Sequence, residues 1–309
     1  LCTMKSEFKN WALLIFLACI WGSSFILMKR GMTSISGESI FSDSQVASLR
    51  MLIAGLGLLP FALFKLRRLL VKKDFWLLLI VGLSGNFIPA FLFTYAETGI
   101  SSGYAGMLNS FTPIFTLLIG FFIFNNRLTS YQIVGVVVGT IGIVLLTIAG
   151  SDLSLSGSFS HVIAVIIATL FYGISLNTIK YKLQHLKSVE ITSLAFLTIL
   201  VPSIIVSFAN KSFQVIQVNE FAYEGLFFIA ILSLIGTALA VILFNQLIST
   251  STILFASSVT YLIPIVAVVI GFGFGENLTV FQIVSMGVVL LGVFTANILP
   301  KFVKNSSKS

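Results

Sequence analysis

Few side chains in this sequence are of types that carry out chemistry, and GISSG at residues 99–103 is the most specific pattern among them. It fits the G-x-S-x-G motif in which serine hydrolases hold their nucleophile. That reaction needs a strand, a sharp turn and a helix around the serine, with a histidine and an acid behind it. The motif instead falls in a short connection between two long apolar runs, where glycine and serine are typical of a tight turn. We therefore expect no catalysis at this motif.

Polar residues beside two prolines form a second pattern, whose chemistry would be that of binding. The stretches NSFTPIF and VTYLIPIV each place a proline in an apolar run, and these prolines, Pro113 and Pro264, are 151 residues apart. Asn109 and Thr260 precede them by one helical turn. A proline removes one backbone hydrogen bond of a helix and frees a carbonyl group. What these polar groups can bind depends on the elements that hold them.

Those elements are predicted to be transmembrane helices. The chain is 57% hydrophobic and 9% charged, whereas a soluble domain is about one quarter charged. Unbroken apolar runs of about 20 residues suit helices that cross a membrane, and they exclude the alternating pattern of a β-barrel. The sequence predicts an all-α integral membrane protein with ten transmembrane helices, near 11–31, 44–64, 74–96, 102–124, 131–149, 159–179, 189–209, 223–247, 253–274 and 280–298.

The basic residues predict the orientation of these helices, because lysine and arginine gather in cytoplasmic loops. With the N-terminus inside, 14 of the 18 basic residues fall on the cytoplasmic side: Lys5, Lys9, Lys65, Arg67, Arg68, Lys72, Lys73, Arg127, Lys180, Lys182, Lys187, Lys301, Lys304 and Lys308. We therefore expect both termini to be cytoplasmic and the two histidines, His161 and His185, to lie on opposite sides. Topology also accounts for the net charge of +8, so no nucleic-acid partner is expected.

The two halves of the chain repeat each other. WGSSFILMK at 21–29 matches YGISLNTIK at 172–180 at the same offset of 151 residues as the prolines, and LTSYQI matches LTVFQI at an offset of 150. The predicted five-helix repeats cover residues 11–149 and 159–298. Because five crossings is an odd number, the second repeat enters the membrane from the opposite side. Inverted repeats are typical of secondary transporters, which expose a central site to the two sides in turn.

Paired helix breaks in such repeats point to the central site, since an opened backbone in lipid must face protein or a wet cavity. We therefore expect Pro113 and Pro264 to mark cavity walls. The predicted substrate-binding residues combine these breaks, the aromatic and hydroxyl residues matched between the repeats, and further polar residues of the helices: Trp21, Ser24, Tyr95, Asn109, Pro113, Tyr172, Ser175, Asn245, Thr260, Tyr261 and Pro264. Ordinary helix packing is the alternative for each of them.

Two charged residues are candidates for a gate. Arg50 lies about two turns into the second predicted helix, where a charge is costly unless it pairs or reaches the surface. We expect a gating or structural ion pair with an outer acid such as Asp43 or Glu97. Anion binding and extension of the side chain to the membrane surface remain alternatives for Arg50. Glu97 is also a candidate for proton coupling, although carboxylates are common at helix ends.

Several short motifs together resemble the EamA-type members of the drug/metabolite transporter superfamily. They are the W-G-S-S-F start of the first helix, Arg50 within L-R-M-L-I-A-G, and the T-P and I-P helices followed by L-T-x-x-Q-I. The resemblance covers nearly the whole chain. It implies a carrier of the bacterial inner membrane that exports amino acids, related metabolites or toxic compounds by alternating access.

Other function classes fit less well. A channel would need a continuous polar lining, and a membrane-embedded lipid-modifying enzyme would need acids or histidines gathered near one interface. Neither Cys2 nor Cys19 indicates a disulfide framework or a metal site, and no cofactor is expected. Gly135 and Gly139 have the spacing of closely packed helices, either within the fold or in a homodimer. The expected partners are a small-molecule substrate and the lipid bilayer.

Overall fold

The computed structural model describes residues 2–126, 129–149, 155–264 and 279–297, together with 266 and 299. These residues form helices, and the one β-type pairing among them is an isolated bridge between Thr33 and Ser39. The helical segments are α1 Cys2–Met32, α2 Asp43–Leu63, α3 Lys73–Glu97, α4 Ser102–Phe122, α5 Ser130–Ala149, α6 Leu155–Lys182, α7 Ser188–Ala209, α8 Ala222–Thr250, α9 Ile253–Pro264 and α10 Val280–Asn297.

Seven of these segments are long and apolar enough to cross a membrane over their described residues, namely α1 to α4 and α6 to α8. Shorter apolar helices occupy the predicted fifth, ninth and tenth positions. The all-helical membrane fold is therefore confirmed, and the count of ten crossings stays a prediction. Residues 267–274 of the predicted ninth helix lie outside the described residues, as do Arg127, Lys301, Lys304 and Lys308.

The helices pack in pairs, and each main pair joins a helix of the first half to a helix of the second half. α5 lies along α10 and α2 along α7, while α1 contacts α8 and α3 contacts α6. Replacing each helix by its counterpart five positions along the chain leaves this set of pairs unchanged. Such pairing is what two related halves around a shared axis would produce, and most of the apolar contact is therefore between the halves.

Two helices carry π-helical segments at matching places. Leu83–Phe87 interrupts α3, and Leu234–Leu239 interrupts α8. Their first residues are separated by 151 positions, the offset of the repeat. A π segment inserts one residue into a helix and frees backbone groups from their usual partners, and such segments are frequent at functional sites. These segments were not predicted from the sequence.

The glycines of α5 are used inside the chain. A Cβ atom on Gly135 would lie 2.4 Å from the Cβ of Ala296, and one on Gly142 would lie 2.6 Å from the backbone nitrogen of Val289. Both contacts are with α10, so the close approach predicted from the glycine spacing occurs within the fold. A homodimer through these helices stays a prediction, and this face of α5 does not favour it.

Polar contacts join the two halves at both ends of the helix bundle. At the end where α2 finishes, Lys65 pairs with Glu190 at 3.0 Å and His185 lies 3.1 Å from Asp74. At the opposite end the Gln45 side chain donates to the Asn210 carbonyl oxygen at 2.8 Å. The space between the halves is thus bounded by contacts at each end.

Candidate functional site

A cavity lies in the middle of the bundle, among α1 to α4 and α6 to α9. Its volume open to the centres of water molecules is about 110 Å³. Since a cavity needs roughly 10–15 Å³ to hold one water, this cavity has room for several. That space suits a small metabolite.

The wall of the cavity is built from matched residues of the two halves. Twenty of its 26 residues form ten pairs in which the two residue numbers differ by 151. The pairs are Trp21 and Tyr172, Ser24 and Ser175, Phe25 and Leu176, Met28 and Ile179, Gly85 and Gly236, Asn86 and Thr237, Ala90 and Val241, Phe93 and Phe244, Asn109 and Thr260, and Thr112 and Ile263. The internal repeat of the sequence is therefore also a repeat of the cavity wall.

Aromatic side chains at equivalent positions of the repeat form one ring pair on each of two walls, with different ring geometry. The ring of Trp21 meets that of Phe244 edge-on at 4.9 Å, and the ring of Tyr172 stacks on that of Phe93 at 5.9 Å. Each contact joins a helix of one half to a helix of the other, α1 to α8 and α3 to α6. Such rings supply large apolar surface for the body of a ligand.

The π segments bring backbone atoms to the cavity, and nearby side chains satisfy the groups they free. The indole nitrogen of Trp21 donates to the carbonyl oxygen of Gly236 at 3.0 Å, and Thr237 Oγ1 donates to the carbonyl oxygen of Leu232 at 2.9 Å. These bonds matter because an unsatisfied backbone group at membrane depth costs several kcal/mol.

Glycine in both π segments leaves room for a serine of the neighbouring half. A Cβ atom on Gly236 would lie 2.9 Å from Ser24 Oγ, and one on Gly85 would lie 2.4 Å from Ser175 Oγ. The two contacts are equivalent under the repeat. The glycines thus let α8 approach α1, and α3 approach α6, more closely than any other residue would allow.

Amide side chains supply further polar groups to the cavity wall. Asn245 donates from Nδ2 to Thr192 Oγ1 at 2.8 Å, joining α8 to α7, and both residues line the cavity. Asn109 Oδ1 accepts from Thr112 Oγ1 at 3.2 Å. Asn86 lines the cavity with 7% of its surface exposed. These amides can donate to or accept from a polar ligand.

Arg50 reaches the cavity from α2 and has neutral partners. Its Nε donates to Thr237 Oγ1 at 2.8 Å, and its Nη1 lies 3.7 Å from the sulfur of Met28. The predicted ion pair with Asp43 or Glu97 is not formed, because the side chain extends across the cavity wall to the π segment of α8 rather than toward the end of the bundle. The described partners of the guanidinium are therefore a hydroxyl and a thioether, neither of which carries the negative charge that would compensate it.

Comparison with known proteins gives a family for this architecture. The EamA-like transporter family matches residues 9–148 and 159–298. The chain belongs to the EamA-like transporter family. A crystal structure of another protein shares the fold, with a TM-score of 0.65 and 14% sequence identity over 94% of this chain and 97% of that one.

Curated relatives of this EamA-like transporter are also described as transporters. The uncharacterized inner membrane transporter YedA of Escherichia coli (strain K12) is 25% identical over 91% of this chain and 88% of its own length. A probable terminal-alkyne amino-acid exporter of Streptantibioticus cattleyicolor is 24% identical over 87% and 86%. A probable amino-acid metabolite efflux pump of Salmonella typhimurium is 28% identical over 48% and 47%. These likenesses identify a multi-pass inner membrane transporter.

Eight of the predicted site residues of this EamA-like transporter line its cavity: Trp21, Ser24, Arg50, Asn109, Tyr172, Ser175, Asn245 and Thr260. Their role in binding a substrate stays a prediction.

The prolines do not line the cavity. The carbonyl group that each proline frees lies four residues earlier, and it accepts a side-chain hydroxyl instead of facing a wet space. Thr112 Oγ1 donates to the Asn109 carbonyl oxygen at 2.9 Å, and Ser110 Oγ donates to the Thr260 carbonyl oxygen at 3.2 Å. The sequence had suggested that these breaks open the backbone to the cavity. In the structure they do not.

The other three predicted residues also lie away from the cavity. Tyr261 is buried beside a small void that Pro264 also borders. Tyr95 stands at the end of α3, where its ring stacks on His161 at 4.6 Å and its hydroxyl lies 3.0 Å from Ser160 Oγ. Glu97 is buried at the same end and accepts from Ser102 Oγ at 3.0 Å. Tyr95 and Glu97, at the end of α3, therefore do not line the central cavity.

The serines of GISSG serve the turn that was expected of them. Ser101 caps α4 by accepting from the backbone nitrogen of Tyr104 at 3.2 Å, and Ser102 is the partner of Glu97. Both roles are structural.

The π segments and their residues Gly85, Asn86, Gly236 and Thr237 were missed by the sequence analysis. The signal that would have found them is the offset of 151 itself, because LSG at 83–85 then aligns with LIG at 234–236. Glycine in corresponding positions of two apolar helices indicates a close approach of backbones. Only a comparison of every position across the repeat, rather than of prolines and aromatic residues alone, reveals it.

Proposed function

We propose that this protein is a secondary carrier that moves a small metabolite by alternating access, in the export direction. The single observation that supports the proposal best is the cavity wall of ten residue pairs related by the repeat offset. A binding site shared equally by two halves is what a carrier needs when rocking of those halves exposes the site to each side in turn. The cavity size suits a metabolite of amino-acid size.

The proposed architecture has ten transmembrane helices in two inverted repeats, residues 11–149 and 159–298, with both termini in the cytoplasm. The exchanged helix pairs and the matched π segments favour two equivalent halves, and the distribution of basic residues favours the orientation. The curated relatives described as amino-acid exporters or efflux pumps favour small metabolites and the export direction.

Counterflow from proteoliposomes tests the proposal. The purified protein is reconstituted, vesicles are loaded with one unlabelled compound from a panel of amino acids and hydrophobic amines, and uptake of the labelled compound is followed with and without a pH gradient. A carrier gives saturable uptake that is stimulated by unlabelled compound on the far side. Conductance without saturation or stimulation would instead indicate a channel.

A pH gradient separates two forms of the carrier. If transport is coupled to protons, an imposed gradient drives accumulation above equilibrium. If it is facilitated diffusion, the gradient leaves the final level unchanged.

A further inference from the structure

The described part of the cavity wall contains one ionic group. Among the described residues that line the cavity, Arg50 is the only arginine, and aspartate, glutamate, lysine and histidine are not represented. The remaining wall consists of apolar, aromatic, hydroxyl, amide and glycine residues. A ligand in this space therefore meets a site of net positive charge.

The positive charge of Arg50 keeps capacity for a further partner. A guanidinium group carries five N–H donors, whereas the described partners are the Thr237 hydroxyl at 2.8 Å and the Met28 sulfur at 3.7 Å. Neither partner carries negative charge. An ionised side chain within a membrane-spanning helix, facing the interior and lacking a counter-ion, is by default a functional group.

We infer that the substrate of this carrier bears a carboxylate group that pairs with Arg50. The inference rests on the proposed function, since it names the substrate class of the same cavity. A guanidinium presents two parallel N–H bonds to a carboxylate, which gives this pairing both strength and a fixed orientation. Arg50 lines the cavity with its Nε bonded to Thr237, and the described residues form no hydrogen bond with its Nη2.

The charge of the site selects a monoanion. A phosphate monoester carries nearly two negative charges at neutral pH, and one guanidinium with no second cation in the described wall compensates only one of them. A cation without a carboxylate would meet repulsion from Arg50 and no acid. A carboxylate, which is a monoanion at neutral pH, matches this charge.

The rest of the wall indicates what accompanies the carboxylate. The ring pairs of Trp21 with Phe244 and of Tyr172 with Phe93 offer apolar surface for an aromatic or aliphatic body. The amide of Asn86 makes no hydrogen bond to any described residue, although only 7% of the residue is exposed. It occupies the position in α3 that Thr237 occupies in α8. Asn86 thus supplies a second polar contact, to the carboxylate or to an amino group.

A matched pair of ligands tests the inference on the unaltered protein. Binding of 3-phenylpropionate and of its neutral isostere 3-phenylpropanamide is measured by calorimetry in nanodiscs at pH 7, with phenylalanine as a third ligand. Because hydrogen bonds to a charged partner are the strong ones, the acid should bind about 10- to 100-fold more tightly than the amide. Equal affinities, or binding of neither acid, would overturn the inference.

The variant Arg50→Gln shows whether Arg50 is the group responsible. Glutamine keeps a hydrogen-bonding side chain but removes the charge, so the difference between acid and amide should fall to less than about threefold, while Arg50→Lys should keep part of it. A full preference for the acid in a folded Arg50→Gln protein would overturn the assignment. If that variant does not fold, the ligand pair on the unaltered protein still decides.

Failure of the carboxylate inference can be distinguished from failure of the proposed carrier function. Saturable counterflow of 3-phenylpropanamide as strong as that of the acid would refute the carboxylate requirement and leave the carrier standing. An acid that binds with the expected preference but shows no counterflow would instead support the site and refute transport.

Discussion

The contact between Gly236 and Ser24 allows the packing of α8 on α1 to be tested by a double-mutant cycle. A methyl group on Gly236 would lie 2.9 Å from Ser24 Oγ and 3.3 Å from a methyl carbon of Leu232, closer than the 3.4 Å at which ordinary contacts begin. Ser24 Oγ donates to the Ile20 carbonyl oxygen at 2.9 Å, so turning it away would break that bond. Gly236→Ala therefore forces either a lost bond or a shift between the halves.

The expected magnitude follows from two opposing terms. Overpacking costs about 1–3 kcal/mol, while replacing glycine by alanine within a helix favours the folded state by about 1 kcal/mol. The single variant should thus lose about 0–2 kcal/mol of stability. Ser24→Ala alone should be nearly neutral, since a serine bond to its own helix contributes little. The double variant removes the clash with Ser24 Oγ and keeps the gain from alanine. Its free energy of unfolding should therefore be about 1–3 kcal/mol higher than the sum of the two single-variant effects predicts.

Thermal unfolding in detergent, followed by tryptophan fluorescence at a fixed scan rate, measures the effect. For proteins of this general size 1 kcal/mol corresponds to roughly 2–4 °C, so the recovery should amount to several degrees. Gly287→Ala is the matched control, because a Cβ atom there meets nothing within 4 Å. It should combine additively with Ser24→Ala. If Gly236→Ala and Ser24→Ala are also additive, the two positions are not in contact and the placement of the π segment is refuted.

Three further changes test the cavity, the α5–α10 contact and the end of α8. Asn109→Trp fills the cavity and should abolish counterflow at an unchanged protein level. Val137→Trp, on an exposed face of α5, is the control and should leave counterflow intact. Equal flux in the two variants would exclude Asn109 from the transport path. Gly142→Ala should destabilise the protein by about 1–3 kcal/mol, because its Cβ would lie 2.6 Å from the backbone nitrogen of Val289. Gly139→Ala is the control, since a Cβ atom there meets nothing within 4 Å, and it should unfold at the same or a higher temperature than the unaltered protein. Lys180 donates to two carbonyl oxygens at the end of α8, at 2.8 and 2.7 Å. Lys180→Met should therefore lower the free energy of unfolding by about 1.5–3 kcal/mol. Lys180→Arg should restore part of this stability in the same unfolding assay.

The sequence predicted the features of the fold that depend on length and composition. A run of 20 apolar residues has few alternatives to a transmembrane helix, so the positions of most helices follow from it. The offset of the repeat then placed Trp21 with Tyr172 and Ser24 with Ser175, and all four line the cavity. Matching positions on two copies of one helix are equivalent whatever the details of packing, which is why this inference needed no structure.

Rotation and depth of individual side chains could not be predicted in the same way. A π segment adds one residue to a helical turn and so rotates the following side chains about the helix axis, but it leaves the helix as apolar as before. Hydropathy therefore gives no sign of Leu83–Phe87 or Leu234–Leu239. The partner of Arg50 depends on that rotation, because Thr237 stands within the second π segment. The prolines misled for a related reason: their freed carbonyl groups were satisfied by hydroxyls of neighbouring residues, which a search for wet cavities does not consider.

Arg50 is the main departure of the cavity from equivalence of its halves, and this has a consequence for transport. Its counterpart under the repeat is Val201, an exposed apolar residue of α7. If the halves exchange their arrangements as proposed, the bond between Arg50 and Thr237 has no equivalent to replace it, because Val201 stands at the position equivalent to Arg50 and Asn86 at that of Thr237. The proposed carrier would therefore bind a carboxylate with unequal affinity in its two access states. We expect half-saturation from the two faces of a vesicle to differ, while the direction of net flux still follows the gradient, since unequal affinities alone supply no driving force.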